Sequence, residues 1–334
     1  MLDSTDIRKN NTNRIRTELW KGGEHTKLSM AADTGLSVAT CNTLLNELAE
    51  NGEVTGEKRQ INGVGRSSMI YKINENFECI LCVRFDLLSD NMRSLNIDVI
   101  SMLGNVIRST ATSYPAISAD MIGKHIAGHI SDFSNISLIL IGTNGIIDNG
   151  VIRMSDIPEM DNVDLETELK KYTGSIPFYL AYDCQYRAYG AYKVNHYENI
   201  TLTIMHCIKH VIPGTATVVN GRIIKGKNGF AGMTGYMPSE LDKQKINEQI
   251  AAGNSDIIVN SIVSVITVLN PDEFVFAGNV INEDHLDMIR TKCGTFLPED
   301  FLPHFSVAED SGMHYYLEGM YHMAKDIKTD NIPF

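Results

Sequence analysis

Apolar residues near the start of the chain recur with helical spacing and then switch to alternation. Ile15 and Leu19 at i, i+4 predict a helix over 13–21, ended by Gly22-Gly23. Thr26 is a candidate N-cap for a second helix, Lys27–Thr34, with Leu28, Ala31 and Ala32 facing inward. Gly35 supplies a tight turn, and Ser37 caps a third helix over 38–51. There Cys41, Leu44, Leu45 and Leu48 fall at i, i+3, i+4, i+7 and form one apolar face. Helix, glycine-containing turn and capped helix make the helix-turn-helix pattern. After Gly52, the stretches 53–60 and 67–73 read as two strands. Residues 61–66 (INGVGR) join them in a glycine-rich hairpin, a wing.

From residue 75 the pattern alternates between strand and helix. Strands are predicted at 78–86 and 94–101 with a hairpin turn at Gly104-Asn105, then at 136–142, Phe178–Tyr182, 199–207, 215–219 and 273–277. The run ISLILIG at 136–142 is apolar almost throughout, as expected of a strand covered on both faces. Helices are predicted at 119–133, 164–173, 184–194 and 313–326. One or two more lie within 246–270, where Ile257, Ile258, Ile262, Val265, Ile266 and Leu269 form a stripe. The alternation predicts an α/β body over 75–334 behind a helix-turn-helix head over 1–74.

Composition narrows the class. Of 334 residues, 43% are hydrophobic and 21% charged, which fits a globular chain. The chain has no apolar run of about 18 residues to cross a membrane, and its start has no apolar signal core, so the cytoplasm is the expected location. Six cysteines in this length do not make a disulfide scaffold. The formal charge of −12 is uneven: residues 1–74 carry a net +1 and the remainder −13. A near-neutral head permits a local contact with nucleic acid, whereas the acidic body would be repelled by phosphates.

Behind its cap Ser37, the third helix would expose Val38, Ala39, Thr40, Asn42, Thr43 and Asn46. Its N-terminal half would enter a major groove in this geometry. Asn and Thr hydrogen-bond base edges, and small apolar groups meet thymine methyls. The stretch 36–49 contains no Lys or Arg. Phosphate contacts would then fall to Arg14, Arg16, Lys27 and, on the wing, Lys58, Arg59 and Arg66. The bland alternative is a small helical domain for contacts between proteins.

The head segment TKLSMAADTGLSVATCNTLLNELAENGEV followed by GVGRSS resembles the winged helix-turn-helix of the ROK family (repressors, open reading frames, kinases). The body extends the resemblance through NGVIRMSDIPEMDNVDLETELKKYTGSIPFYLAYDCQYRAYGAYK, VVNGRIIKGKNGFAGMTGYMP and PDEFVFAGNVI. The resemblance implies a two-lobed, actin-like (ribonuclease-H-like) body with a cleft between lobes. It also implies a function among sugar kinases and sugar-responsive repressors, the winged head being the mark of the repressors.

Against the family pattern, the phosphate segments are altered. Asp-x-Gly-Gly-Thr becomes Asp86-Leu87-Leu88-Ser89-Asp90, which loses both glycines. The second glycine-rich turn becomes His210-Val211-Ile212-Pro213-Gly214-Thr215-Ala216, where only Gly214 remains. Branched side chains obstruct the close backbone approach that a polyphosphate needs. Asp183 aligns with the family's general base, preceded by Tyr182 where the family has Asn; a lone Asp there is equally an N-cap. Gly-Glu-x-Gly-His becomes Gly232-Met233-Thr234-Gly235-Tyr236, and a family Asn aligns with Asp156. The resemblance implies a rebuilt pocket from Asn144, Asp156, Asp183 and Tyr236, for another sugar, a phosphosugar or nothing.

The family's structural zinc is not expected, because no cysteine follows Tyr236 until Cys293. Cys79 and Cys82 form an isolated CxxC on a strand, read as buried thiols. Gly63-Val64-Gly65 lies in the wing and is no dinucleotide fingerprint. The expectation is a regulator without cofactor or catalytic residues. It would bind a duplex operator as a homodimer or tetramer and sense a sugar or phosphosugar. An ATP-dependent sugar kinase is the alternative, and a DNA-binding scaffold without effector a third reading.

Overall fold

The computed structural model describes residues 4–60, 67–88, 90–209, 211–239, 241–251 and 255–334. The wing tip, Arg66, Ser89 and His210 fall outside them. The head opens with α1 (Ser4–Leu19), α2 (Lys27–Thr34) and α3 (Val38–Glu50), followed by the antiparallel pair β1 (Val54–Arg59) and β2 (Ser68–Ile73). The Thr26 side chain accepts from the Ser29 amide, the Ser37 side chain accepts from the Thr40 amide, and Gly35 adopts φ 68° after α2. The predicted apolar face of α3 is buried: Cys41, Leu44, Leu45 and Leu48 pack with Ile15, Leu19, Met30, Val54 and Tyr71. On α2 the inward face is set by Met30 and Thr34, while Leu28 and Ala32 are exposed. Helix α1 begins nine residues earlier than its apolar spacing indicates, because its first turns are polar and exposed.

The body follows with β3 (Cys79–Leu87), β4 (Arg93–Ser101), β5 (Val106–Tyr114), α4 (Ala119–Asp132), β6 (Ile136–Thr143), β7 (Ile146–Asp148), β8 (Val151–Arg153), α5 (Leu165–Thr173), β9 (Phe178–Tyr182) and α6 (Asp183–Val194). Then come β10 (Thr201–Cys207), β11 (Gly214–Val219), β12 (Arg222–Ile223), α7 (Lys243–Ala251), α8 (Ser255–Leu269), β13 (Glu273–Gly278), α9 (Leu286–Cys293), β14 (His304–Val307) and α10 (Met313–Lys328). Two five-stranded mixed sheets result, ordered β5-β4-β3-β6-β9 and β12-β11-β10-β13-β14. Numbered within its own lobe, each sheet runs 3-2-1-4-5 with the first three strands antiparallel and the rest parallel. This is the two-lobed α/β architecture that the resemblance implies.

One core lies between the lobes. Ile80, Cys82 and Leu140 from the first sheet and Leu202, Ile204 and Val275 from the second pack onto α6 and α10. The outer face of the first sheet is covered by α4 and α5, and that of the second by α7, α8 and α9. Alternation along β3 sends Cys79 to the outer core and Cys82 to the inner one, so the CxxC thiols face opposite sides. All six cysteines are free and buried.

Helices α6 and α10 meet backbone to backbone. A Cβ on Gly190 would lie 1.9 Å from the Tyr315 carbonyl oxygen, and one on Gly319 would lie 1.8 Å from that of Tyr186. The far end of α10 meets the head. Trp20 is buried in the interlobe core, and the Lys325 ammonium donates to the Trp20 carbonyl at 3.2 Å. The Asn13 amide donates to the Thr329 carbonyl at 3.0 Å. Among the described residues no helix is long and apolar enough to cross a membrane.

Candidate ligand cleft and nucleic-acid interface

The C-terminal ends of β3, β6, β9 and β10 converge between the lobes, the position where open α/β sheets place their ligands. An inner cavity of about 30 Å³, room for one or two waters, is lined by Asp86, Asn144, Asp156, Tyr182, Asp183 and His206 among others. An adjoining chamber of about 300 Å³ is lined by Asn144, Asp156, Asp161, Tyr236 and Asn247 among others. The four residues read from the sequence as a rebuilt pocket therefore surround one cleft.

Asp183 is not an N-cap. It is the first residue of α6, where Tyr182 holds the cap position without a side-chain bond. Its Oδ2 instead accepts from Arg187 Nε at 3.3 Å, one turn along the helix, and lies 3.2 Å from His206 Nδ1. The Arg187 guanidinium also donates to the Gly312 carbonyl at 2.9 Å and lies over the Tyr316 ring, 4.5 Å from its centroid. Burial alone would raise the Asp183 carboxyl, but His206 and Arg187 outweigh it and hold it below the ordinary carboxylate range. Burial, helped by Arg187, pushes the His206 imidazole below its usual value. A neutral imidazole facing an ionised carboxylate must carry its proton on Nδ1 and donate it. Asp86 is shifted the other way, because burial raises its carboxyl more than Arg187 lowers it. Asp183, Cys184 and His206 bring one candidate metal-ligating atom each within 4.8 Å of one another, with the Arg187 guanidinium on the same carboxylate.

The larger chamber holds two orphaned polar atoms. Asn144 Oδ1 accepts from Ser155 Oγ at 2.9 Å, which fixes the amide, yet its Nδ2 donor is buried without a partner. Asn247 Oδ1, an acceptor, is likewise buried and unpartnered. A buried amide atom left unpaired costs about 1–3 kcal/mol. The inner wall is apolar where Ile208, Val211 and Ile212 project into the cavity. Gly214 has no room for a side chain, since a Cβ there would lie 1.9 Å from the Tyr182 hydroxyl.

On the head, Ser37, Val38, Ala39, Thr43 and Asn46 are exposed along α3, and Thr40 and Asn42 are half-buried. Asn46 Oδ1 accepts from the Tyr71 hydroxyl at 2.7 Å, and Lys27 reaches Asn42 at 3.5 Å. Arg14, Arg16 and Arg59, three of the sequence-derived cations, are likewise engaged within the head. Arg16 donates through Nε and Nη2 to both carboxylate oxygens of the buried Glu53, at 2.6 and 2.8 Å, and Arg14 donates to the Thr34 carbonyl at the end of α2. Lys58 is exposed at the base of the wing. Beside it, Arg59 is held by Glu24 at 2.9 Å and Glu57 at 3.0 Å, and Lys72 by Glu24 at 2.7 Å.

Sequence reasoning did not single out Arg187, His206 or Asn247. The i, i+4 spacing of Asp183 and Arg187 on a helix was an available signal for the first. His206 and Asn247 come to the cleft only through the pairing of distant strands and the placement of α7.

Residues 100–255 match the ROK family. Comparison with curated protein sequences gives no match. Among solved structures, the chain is similar to a ROK family transcriptional regulator, a homologue of the E. coli MLC protein, at TM-score 0.69 and 15% identity, covering 97% of this chain and 99% of that one. It is also similar to a ROK hexokinase from Thermus thermophilus, at TM-score 0.57 and 15% identity over 74% of this chain and 99% of that one. A ROK family glucokinase from Streptomyces griseus in complex with glucose and AMPPNP matches at TM-score 0.52 and 14% identity, over 72% and 98%. At these identities the likeness establishes the fold: an actin-like pair of lobes, with a regulator among its neighbours. Residues 100–255 thus resemble the ROK family, and the likeness of the rest of the chain is one of fold.

Proposed function

We propose that this protein is a DNA-binding transcriptional regulator, a repressor of carbohydrate metabolism, whose cleft senses a sugar-like ligand and performs no phosphoryl transfer. The observation that carries the reading is the open face of α3: a capped second helix of a helix-turn-helix, with Val38, Ala39, Thr43 and Asn46 exposed beside a β-hairpin. That face offers small apolar and amide groups to a major groove, and Lys27, Lys58, Arg59 and the wing offer cations to phosphates. Arg14 and Arg16 support it by setting the head's internal geometry. The regulator's fold match extends over nearly the whole chain, and the kinases' over about three quarters.

In the cleft, Asn144, Asp156, Asp183 and Tyr236 surround space for a polyol, while Ile208, Val211 and Ile212 occupy the wall that a phosphate cradle would need. The working form is a symmetric homodimer, or a tetramer built from it, acting in the cytoplasm on operator half-sites spaced one or two helical turns apart. A ligand preferring one lobe arrangement by about 1–3 kcal/mol would change DNA affinity about 5- to 150-fold.

The test is a mobility shift of the promoter region flanking the protein's own gene. Retardation that is weakened by Arg59→Ala with Arg66→Ala supports the reading, and no retardation overturns it. The ionised Asp183 at the cleft favours a second reading, an ATP-dependent sugar kinase. Sugar-dependent turnover in a coupled ATPase assay would establish that one instead.

A further inference from the structure

The chamber that holds Asn144 and Asn247 does not end at its far wall. Past Met154 and Asp161, which line both spaces, it continues into an outer trough of about 790 Å³. The inner chamber is mostly polar. The trough is mostly apolar, floored by Ile146, Met154, Phe230 and Ala231. An aromatic pair joins the two: Tyr236 lines the inner chamber, Phe230 lines the trough, and their rings meet edge to face, 5.5 Å between centroids. Phe230 is 43% exposed. Met154 stands at the junction with φ 58°, a backbone state that a long side chain rarely adopts and that clusters at ligand sites.

Charge narrows the class further. Asp86, Asp156, Asp161 and Asp183 line the two inner spaces, and among the described residues no Lys or Arg does. The Arg187 guanidinium on Asp183 is already engaged by that carboxylate and the Gly312 carbonyl, while Arg153 and Lys227 line the trough and not the inner spaces. A phosphate group placed there would face Asp86, Asp156 and Asp161 with no described Lys or Arg side chain lining the same space. A neutral ring with several hydroxyls brings no such charge, and the carboxylate and amide residues that line the spaces suit its hydroxyls.

We propose that the cleft takes an unphosphorylated glycoside, with its sugar ring in the inner chamber and an aglycone with an apolar face lying on Phe230 in the trough. The proposal rests on the reading of the cleft as a sugar sensor and adds the ligand's charge and extent. An aromatic wall beside a polar chamber is the chemistry that holds such a molecule: hydroxyls are hydrogen-bonded at one end and a flat apolar face is stacked at the other.

The test is calorimetric titration of the full chain with matched probes in the gluco, galacto, manno and xylo series. Each series contains the free sugar, its methyl glycoside and its 4-nitrophenyl glycoside, and the three hexoses also their 6-phosphates. In the series that binds, the nitrophenyl glycoside should bind at least about tenfold more tightly than the methyl glycoside. The 6-phosphate should bind at least about tenfold more weakly than the free sugar. In Phe230→Ala, the nitrophenyl glycoside should fall to the affinity that the same variant shows for the methyl glycoside. Equal affinity of the two glycosides, or tighter binding of the phosphate, overturns the proposal and leaves the sensor reading intact. No binding by any probe overturns both.

Discussion

On the proposed reading, Glu24 acts as a brake on the head's affinity for DNA. Its carboxylate holds Arg59 at 2.9 Å and Lys72 at 2.7 Å, the two cations at the base of the wing. Both ion pairs are exposed, and exposed pairs contribute little to stability. Glu24→Gln should therefore leave folding nearly unchanged while releasing two cations for phosphates. Each phosphate neutralised on duplex DNA steepens the dependence of log K on log salt by about 0.9. Between 50 and 200 mM salt, one added contact multiplies the loss of affinity by about 3.5, and two by about 12. The assay is fluorescence anisotropy of the full chain on a labelled duplex of about 30 base pairs, read at several salt concentrations. The variant should bind more tightly than the parent at 50 mM, with an advantage that shrinks about 3- to 12-fold by 200 mM. Arg59→Ala should shift both quantities the other way. A Glu24→Gln protein with the parent's slope and affinity would refute the assignment of this face to DNA.

Three further outcomes follow from buried or paired charges. Arg16→Ala leaves the carboxylate of Glu53, 3% exposed, without its bidentate partner and should cost about 3 kcal/mol, the low end for breaking a buried pair. The fluorescence of Trp20, the chain's single tryptophan, during urea unfolding reads this at the junction of head and body. Asp183→Asn strands the Arg187 guanidinium, 2% exposed, and should lower the urea midpoint by the equivalent of about 3–5 kcal/mol; an unchanged midpoint would mean that the network is not coupled to folding. The bidentate contact from Arg93 holds the Glu159 carboxyl at about 2, so its stabilising contribution is complete above its unfolded value and is lost as pH falls from there toward 2. Glu159→Gln should flatten the acid limb of a stability-versus-pH curve in that window and leave neutral pH less stable than the parent.

Local signals were the legible ones. Helices α2 and α3 could be bounded from sequence because Thr26, Ser37 and Gly35 carry their caps within a few residues of each end. The sixfold apolar stripe of α8 and the run at β6 were equally plain. Elements without a buried face were not: the first turns of α1 are polar, and β5 is exposed along nearly its whole length as an edge strand, so neither shows a period. The inward face of α2 was misjudged because its orientation is set by Met30 and Thr34 packing under α1 and α3, a tertiary matter. In the cleft, Asn144, Asp156, Asp183 and Tyr236 were found through their place in the family's pattern. His206 and Asn247 became visible only once the second sheet and α7 were in position, whereas Arg187, one turn beyond Asp183 on α6, was signalled by its spacing. The role of Asp183 changed for a physical reason: its carboxylate is drawn to Arg187 and His206 and away from the helix amides.

The crossing of α6 and α10 has a consequence for variation in this chain. At Gly190 and Gly319 the space for even one methyl group is already filled by the main chain of the opposite helix, and main chain cannot be trimmed or rotated aside. Of the twenty amino acids, a single one fits at each place without prising the helices apart, and with them the two halves of the body. In a saturation library selected for soluble protein, these two codons should return glycine alone, while neighbours a turn away accept several residues.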